Sequence, residues 1–241
     1  MSKTQILFFV FCVCFISSFS QQEKNPSQKT PQDFELWNTI NVEKKIFKKT
    51  VLSVQQSVRL RENATQFNST FTDVGLGYEI VKNLKIELNG RFIIRDKDAT
   101  NNQRIYGIID YAKNIQRFDF GLRTRFEKQY EVNKIPSKTW RNRLKLSYNI
   151  PNIPLEPFIY FEVFADINNL QNQMTRTRLC AGSNYKINKQ SSLSLYYIYQ
   201  DDFNIENLSK SYILGIEYDL KLKKFKPKKK KEKQISPENK S

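Results

Sequence analysis

Apolar and polar residues alternate along about eleven segments of this chain, each roughly ten to thirteen residues long. Residues 117–127 show the pattern most clearly, with mostly apolar side chains at even positions and mostly charged ones at odd positions. Because successive side chains of a β-strand point to opposite faces, each segment is predicted to be a strand with one apolar and one ionic face. The predicted strands are 34–45, 50–61, 69–81, 84–95, 103–113, 116–128, 138–150, 156–166, 173–187, 191–200 and 210–221.

The connectors between these segments alternate in length. Outer-membrane barrels have short periplasmic turns and longer external loops, and their strands are long with a second, polar face. A soluble sandwich instead has short strands whose apolar face points inward. The pattern therefore predicts an all-β fold, an antiparallel transmembrane β-barrel of about 10–12 strands, with lipid outside and a charged lumen inside. Short connectors lie near 82–83, 114–115, 151–154 and 188–189, and longer ones near 63–68, 97–102, 129–136, 168–173 and 201–208.

The strand number is open between ten and twelve. Single-chain bacterial barrels have even strand numbers, so an odd count of eleven is disfavoured. Segment 34–45 could be two short strands, which gives twelve, or it could lie in the lumen or the periplasm, which gives ten. The alternation of connectors predicts that the last segment starts outside and ends in the periplasm, and that the first segment also begins outside.

The two faces of the predicted barrel have different roles. The apolar face is expected to meet lipid, with aromatic girdles at the interfaces formed by Tyr78, Trp140, Tyr148, Tyr212 and Tyr218. Charged rings can set the ion selectivity of a pore, whereas mixed Arg and Glu rows can pair and fill a narrow lumen. The pattern favours the filled barrel and leaves conduction open. Candidate lumen-lining residues are Arg59, Arg61, Arg91, Arg95, Arg123, Arg125, Arg141, Arg143, Arg176, Arg178, Glu162 and Glu217.

The two ends of the chain differ from the strand-rich part. Lys3 precedes an apolar stretch at 6–16, and the small residues Ser18 and Ser20 follow it, which is the pattern of a cleaved secretory signal. A lysine-rich C-terminal run cannot bury a core and is predicted to be disordered. The predicted organisation is a signal peptide at 1–20, a flexible lead at 21–33, the outer-membrane barrel at 34–221 and a Lys-rich tail at 222–241.

The net charge of +16 raises the question of nucleic-acid binding. A large part of this charge comes from the tail, and the rest is interleaved with acids on the strands, so no nucleic-acid partner is expected. The predicted location is the cell outer membrane, with membrane lipid as the main partner. The tail could contact anionic headgroups or periplasmic polymers, or it could be a solubilising segment without a partner. The sequence leaves the oligomeric state open.

Composition also limits the chemistry. The chain has no histidine, which removes the commonest general base and His-ligated metal sites. After removal of the signal, Cys180 is the remaining cysteine, so no internal disulfide can form. We therefore predict no enzymatic activity, no catalytic residues, no cofactor and no metal site.

Four stretches in order carry a resemblance to a known family: WRNRLKL at 140–146, PFIYFEVF at 157–164, RTRLCAGSNY at 176–185 and SYILGIEY at 211–218. Trp37 and the pair Arg59-x-Arg61 add to it. Over residues 34–221 the chain resembles the uncharacterised bacterial outer-membrane β-barrel proteins grouped as domain-of-unknown-function family 2490. The resemblance implies an outer-membrane barrel from a Gram-negative bacterium without an assigned activity, and it supplies no functional residues.

Three functions are compatible with these observations. The favoured one is an outer-membrane β-barrel that is structural or a passive, porin-like channel for small solutes. One alternative is a secreted, soluble, lipocalin-like barrel that binds a ligand in its core. The other is an outer-membrane enzyme acting on lipid or peptide at the outer rim, against which the lack of histidine weighs.

Overall fold

The computed structural model describes residues 31–96, 102–132, 134–167, 173–205 and 208–223. The described residues form eleven strands, and they include no helix that is long and apolar enough to cross a membrane. The predicted all-β class is confirmed. The strands are β1 (Gln32–Lys45), β2 (Thr50–Arg61), β3 (Gln66–Val81), β4 (Leu84–Arg95), β5 (Asn102–Ile115), β6 (Phe118–Tyr130), β7 (Ser137–Tyr148), β8 (Leu155–Asp166), β9 (Gln173–Lys186), β10 (Ser191–Asp202) and β11 (Ser209–Leu222).

The strands close into a barrel in which each strand pairs with its neighbours in the sequence. Every consecutive pair is antiparallel, whereas the closing pair of β1 and β11 is parallel, with Trp37 opposite Gly215. This follows from the odd count, because the first and last of eleven alternating strands run in the same direction. A barrel of ten to twelve strands is confirmed, and the preference for an even number is wrong. The segment predicted at 34–45 is one full wall strand.

The connectors divide the barrel into two ends. The short-turn end carries connectors 46–49, 82–83, 116–117, 149–154 and 187–190, and the long-loop end carries 62–65, 96–101, 131–136, 167–172 and 203–208. Asn83 and Gln116 have positive φ values of 76° and 56°, which tight two-residue hairpin turns require. The difference in length between the two ends is smaller than the sequence indicated. Strands extend into predicted loops, as at Gln66, where β3 begins.

The apolar face of the barrel points outward and the ionic face points inward. Leu88 and Leu144 are 64% and 61% exposed on the outer wall, whereas Asp73 and Glu162 are 4% and 2% exposed inside. Alternation along each strand places apolar residues on the outside around the ring. Pairs of outward aromatics lie toward the strand ends, with ring centroids 5.0 to 5.8 Å apart. These pairs are Phe118–Tyr148, Phe126–Trp140 and Tyr199–Tyr212.

One side of the interior holds a small apolar cluster between β8, β9, β10, β11 and β1. Tyr196 packs against this cluster, and its ring lies directly over Gly215. A Cβ at Gly215 would approach Tyr196 Cε2 to 2.0 Å, so a residue without a side chain is required there. The pattern of the sequence did not predict this inner cluster, because its members interrupt the polar face. The cluster consists of Trp37, Phe158, Cys180, Ile198 and Ile213.

Most of the predicted terminal segments lie outside the described residues. The signal peptide at 1–20 and almost all of the lead at 21–33 are outside them, except that Gln32 already belongs to β1. Likewise, residues 224–241 of the Lys-rich tail are outside the described residues, and Leu222 ends β11.

Candidate functional site

The candidate site is a cavity of about 770 Å³ inside the barrel. It is elongated along the strands, because Thr139 and Lys145 of β7 both line it and lie six residues, or about 20 Å, apart along that strand. That length is a large part of the apolar band of about 25 Å found on outer-membrane barrels. The cavity therefore extends through much of the height of the wall.

The structure places most of the predicted lumen residues on this cavity. Arg61 is an exception, since it lies at the end of β2 and contacts Glu62 and Asp96 at 3.9 and 3.7 Å. Glu162 is the other exception, because it is buried beneath the arginines that line the cavity. The residues that line the cavity are Arg59, Arg91, Arg95, Arg123, Arg125, Arg141, Arg143, Arg176, Arg178 and Glu217.

Glu162 of β8 joins arginines from the two adjacent strands. One of its oxygens lies 3.0 Å from Arg141 Nη2 and 3.2 Å from Arg143 Nη2, and the other lies 3.7 Å from Arg178 Nη1. These contacts follow from register, because Arg143 and Arg178 are the direct partners of Glu162 on β7 and β9. Several hydrogen bonds and charges compensate the burial of this carboxylate.

A second carboxylate extends the same ion-pair network toward the long-loop end. Glu127 of β6 lies 3.3 Å from Arg104, 3.6 Å from Arg125 and 3.5 Å from Arg141. Because Arg141 also contacts Glu162, the charges of β5 to β9 form one connected set. These side chains are therefore fixed relative to one another across five strands.

Other arginines have carboxylate partners of their own. Arg91 donates two hydrogen bonds of 2.6 Å to Asp73, and Arg123 donates two to Asp110 at 2.6 and 3.0 Å. Both arrangements are bidentate, the geometry in which a guanidinium and a carboxylate bind most strongly. Arg176 of β9 pairs with Asp202 of β10, next to the hydrogen bond from Arg178 to Gln200 on the same two strands.

Inward aromatic rings stack against the guanidinium groups. Arg59 lies 3.7 Å from the ring centroid of Trp37, and Arg91 lies 3.7 Å from that of Phe71. Cation–π contacts of this kind orient arginines without neutralising them. These inward rings were not predicted from the sequence, although Phe71 lies between Ser69 and Asp73 on the polar face of β3, a position that indicates an inward ring. Further stacks are Arg125 on Tyr106, Arg141 on Phe164 and Arg143 on Tyr160.

The lumen carries an excess of positive charge. Eleven arginine and lysine side chains line the cavity, compared with four carboxylates. The basic groups remain in excess when Asp73, Glu162 and Asp202, which pair with lining arginines, are included. Low-dielectric walls around such a cavity concentrate its field, so the interior attracts anions.

At the long-loop end, the acidic residue Glu131 lies beside this basic lining. Glu131 follows β6, and its carboxylate lies 2.9 Å from Lys134 Nζ and 3.8 Å from Arg95 Nη1. The hydrogen bond from Lys134 lowers the pKa of Glu131, so this carboxyl is ionised at neutral pH. It reduces the positive charge at this point of the mouth without reversing the excess inside.

Within the part of the chain that the structure describes, no three His, Cys, Asp or Glu side chains are grouped to hold a metal ion. Cys180 is a free thiol buried in the inner apolar cluster. The described interior is a set of fixed charges and stacked rings around a cavity.

These features define a closed β-barrel protein with an apolar outer wall and an arginine-lined lumen. The chain belongs to the family described as a protein of unknown function (DUF2490), whose model matches residues 34–210. The family resemblance read from the sequence is confirmed. No curated protein sequence matches the chain.

One solved structure similar to this chain is the translocator domain of the autotransporter NalP from Neisseria meningitidis. The two are 13% identical, with a TM-score of 0.36, and the match covers 68% of this chain and 71% of that chain. At this level of similarity the comparison carries no argument, and the architecture rests on the strand pairing of the chain itself.

Proposed function

We propose that the protein is an outer-membrane β-barrel whose lumen is a passive pathway for small anionic solutes, without enzymatic activity. The apolar outer wall is the observation that supports the membrane location. In water, a continuous ring of exposed Leu, Ile, Val and Phe side chains would be strongly unfavourable, because soluble monomers rarely expose apolar patches above a few hundred Å². Lipid removes that cost.

The secreted, lipocalin-like alternative fits this arrangement poorly. A soluble barrel that holds a ligand in its core needs its apolar face inside. Here the inside carries arginines and carboxylates, and the outside carries Leu88, Phe120 and Leu144. Outer-membrane lipid is accordingly the proposed partner of the wall. Contact between the Lys-rich tail and anionic headgroups or periplasmic polymers stays a prediction.

The excess of basic groups supports a preference for anions. A cation that enters the lumen meets Arg95 and Arg104 near the long-loop end and then the arginines of β6 to β9. An anion meets compensating charge along the same path, and charge rings of this kind bias permeation. The elongated cavity supplies the space.

A structural role is the second candidate, and one observation favours it. The inner apolar cluster around Ile198 and Ile213 fills one side of the lumen, and the ion pairs through Glu162 fill further space next to it. If these groups block the remaining space, the barrel is an envelope component that does not conduct.

Conductance in planar bilayers under a KCl gradient tests the pathway. We expect discrete channels whose reversal potential shows chloride more permeant than potassium. Arg95→Glu, at a partly exposed lining position, should lower the chloride preference by a factor on the order of a few. Lys113→Glu is the matched control, because it makes the same reversal of charge at an exposed position on the outer face of β5, and it should leave selectivity unchanged.

A folded barrel that inserts without conducting would rule out the pathway and leave the structural role. Equal permeability for potassium and chloride would rule out the anion preference.

A further inference from the structure

Arg59 differs from the other arginines that line the lumen. Among the described residues, no carboxylate lies within salt-bridge distance of it, and no described group hydrogen-bonds its buried Nε. The side chain is held by rings, 3.7 Å from the centroid of Trp37 and 4.8 Å from that of Phe71. Stacking fixes the plane of the guanidinium but leaves its charge uncompensated.

The surroundings of Arg59 add to this imbalance. Arg91 lies 3.7 Å from the ring centroid of Phe71 and Arg178 lies 5.1 Å from that of Trp37, the two rings that Arg59 also contacts, so both positive charges repel that of Arg59. The strongest electrostatic attraction comes from Glu35, but its carboxylate already accepts a hydrogen bond of 2.8 Å from the indole nitrogen of Trp37. Three guanidinium groups therefore lie close together around Trp37 and Phe71, and one of them, that of Arg59, has no carboxylate partner among the described residues.

The two flanking arginines have polar partners of their own. Arg91 is bidentate with Asp73 on β3, and Arg178 donates a hydrogen bond of 2.8 Å to Gln200 on β10. Their charges contribute to the field at Arg59, while their geometry is set independently of it. The arrangement is thus preorganised before any ligand binds.

We propose that Arg59 is the centre of an oxyanion-binding site in the lumen, flanked by Arg91 and Arg178, that takes the phosphate or carboxylate group of a small solute. This deepens the proposed anion pathway, although binding itself does not require conduction. Guanidinium groups match such oxyanions because their forked donors bind two oxygens at once. Chloride, which has no such pair of acceptors, binds less well.

The position of Arg59 makes the site accessible to solutes. Arg59 lines the cavity and lies two residues before the end of β2 at the long-loop end. The closed ring of strands separates it from the outer wall. A lipid headgroup that stays attached to its acyl chains in the bilayer cannot reach this point, so the ligand is a free solute.

Trp37 supplies an optical signal for this site, because its ring contacts Arg59 directly. The chain contains two tryptophans, and Trp140 lies on the outer wall. The experiment uses the folded chain carrying Trp140→Phe in a non-ionic detergent, titrated with inorganic phosphate and, separately, with chloride at equal ionic strength. Calorimetry of the unmodified chain with phosphate gives an independent affinity.

We expect a saturable change in Trp37 fluorescence with phosphate and a much weaker response to chloride. Arg59→Gln should weaken phosphate binding by at least about tenfold, since it removes a charged hydrogen-bond donor. Arg59→Lys keeps the charge but loses the fork, so it should bind with intermediate affinity. Arg61→Gln is the matched control on the same strand, where Glu62 and Asp96 already pair with the arginine, and it should bind normally.

Equal responses to phosphate and chloride, or unchanged binding in folded Arg59→Gln, would overturn the proposal. If Arg59→Gln does not fold, the folded Arg59→Lys variant decides, because affinity equal to that of the parent would also overturn it. A barrel that binds phosphate but does not conduct would retain this site and refute the pathway. A barrel that conducts anions without saturable phosphate binding would retain the pathway and refute this site.

Discussion

Glu162 is the residue that most strongly organises the interior. Its carboxylate contacts Arg141, Arg143 and Arg178 from strands on both sides, and it is almost fully buried. Without it, these arginines would repel one another with little solvent to screen them. The carboxylate thus makes an arginine-rich lumen compatible with a folded barrel.

Replacing Glu162 with Gln should lower the free energy of unfolding by roughly 3 to 5 kcal/mol, because three buried guanidinium groups lose their common anion. Urea unfolding of the barrel in phospholipid vesicles measures this. Glu156→Gln is the control, since Glu156 pairs at 2.8 Å with the half-exposed Lys186, and it should cost less than about 1 kcal/mol. Similar losses for the two variants would contradict this role of Glu162.

Gly215 supports the inner apolar cluster by leaving room for Tyr196. We expect Gly215→Ala to destabilise the barrel by roughly 1 to 3 kcal/mol, because the new methyl group overlaps the Tyr196 ring. The double variant with Tyr196→Ala should lose less stability than the sum of the two single changes, since both changes act on one contact. Gly90→Ala is the control, because nothing lies within 4 Å of its Cβ position. Equal unfolding curves for the Gly215 and Gly90 variants would show that the close packing is not required.

At the scale of elements, the distinctive feature is the parallel seam between β1 and β11. β1 and β11 each have an antiparallel neighbour on their other side, so the seam is the place where an otherwise antiparallel sheet closes on itself. Slanted parallel hydrogen bonds are slightly less stable per residue than antiparallel ones. The long pairing, from Gln32 opposite Lys210 to Lys44 opposite Leu222, compensates by extending over almost the whole of both strands.

Cysteine crosslinking tests this seam directly. In a Cys180→Ala background, Leu36→Cys and Leu214→Cys should form a disulfide on mild oxidation, because these outward residues are direct partners. Leu36→Cys with Tyr218→Cys should not, since the second position lies four residues, or about 13 Å, further along β11. Electrophoresis without reductant measures both. A ten-strand barrel that excludes β1 would leave the first pair uncrosslinked, which would contradict the seam.

The period-two pattern predicted the strands closely, because a wall with one apolar face and one ionic face requires alternation at almost every position. The segments 50–61 and 84–95 match β2 and β4 at both ends. The parallel closure was not predictable in this way, because alternation does not show which distant strands pair. The even number was expected only because single-chain bacterial barrels have even strand numbers.

The candidate site was predicted in part for the same reason. Arginines such as Arg91 and Arg141 were recognisable from their phase on the polar face. Their aromatic partners Trp37, Phe71 and Phe164 were missed, because apolar residues in the polar phase resemble irregularities of the pattern. That Arg59 has no carboxylate partner among the described residues was not predictable, because the alternation shows which face a side chain is on and not which side chains of other strands lie next to it.

At the scale of the whole molecule, the central claim is that the apolar face lies outside a closed ring and the ionic face inside it. This arrangement, the reverse of that in a soluble barrel, supports the proposed membrane location, and the excess of basic groups in the lumen supports the proposed preference for anions. We expect a closed ring without free edges to resist detergent, because every strand has two partners.

The most direct measurement is electrophoretic mobility of the full chain, boiled and unboiled in detergent, after fractionation of the expressing bacteria. We predict recovery in the outer-membrane fraction and a faster-migrating unboiled band, as expected for a barrel that stays closed until heated. A protein that is recovered in solution without detergent, with one mobility before and after boiling, would contradict the outward apolar wall and the account built on it.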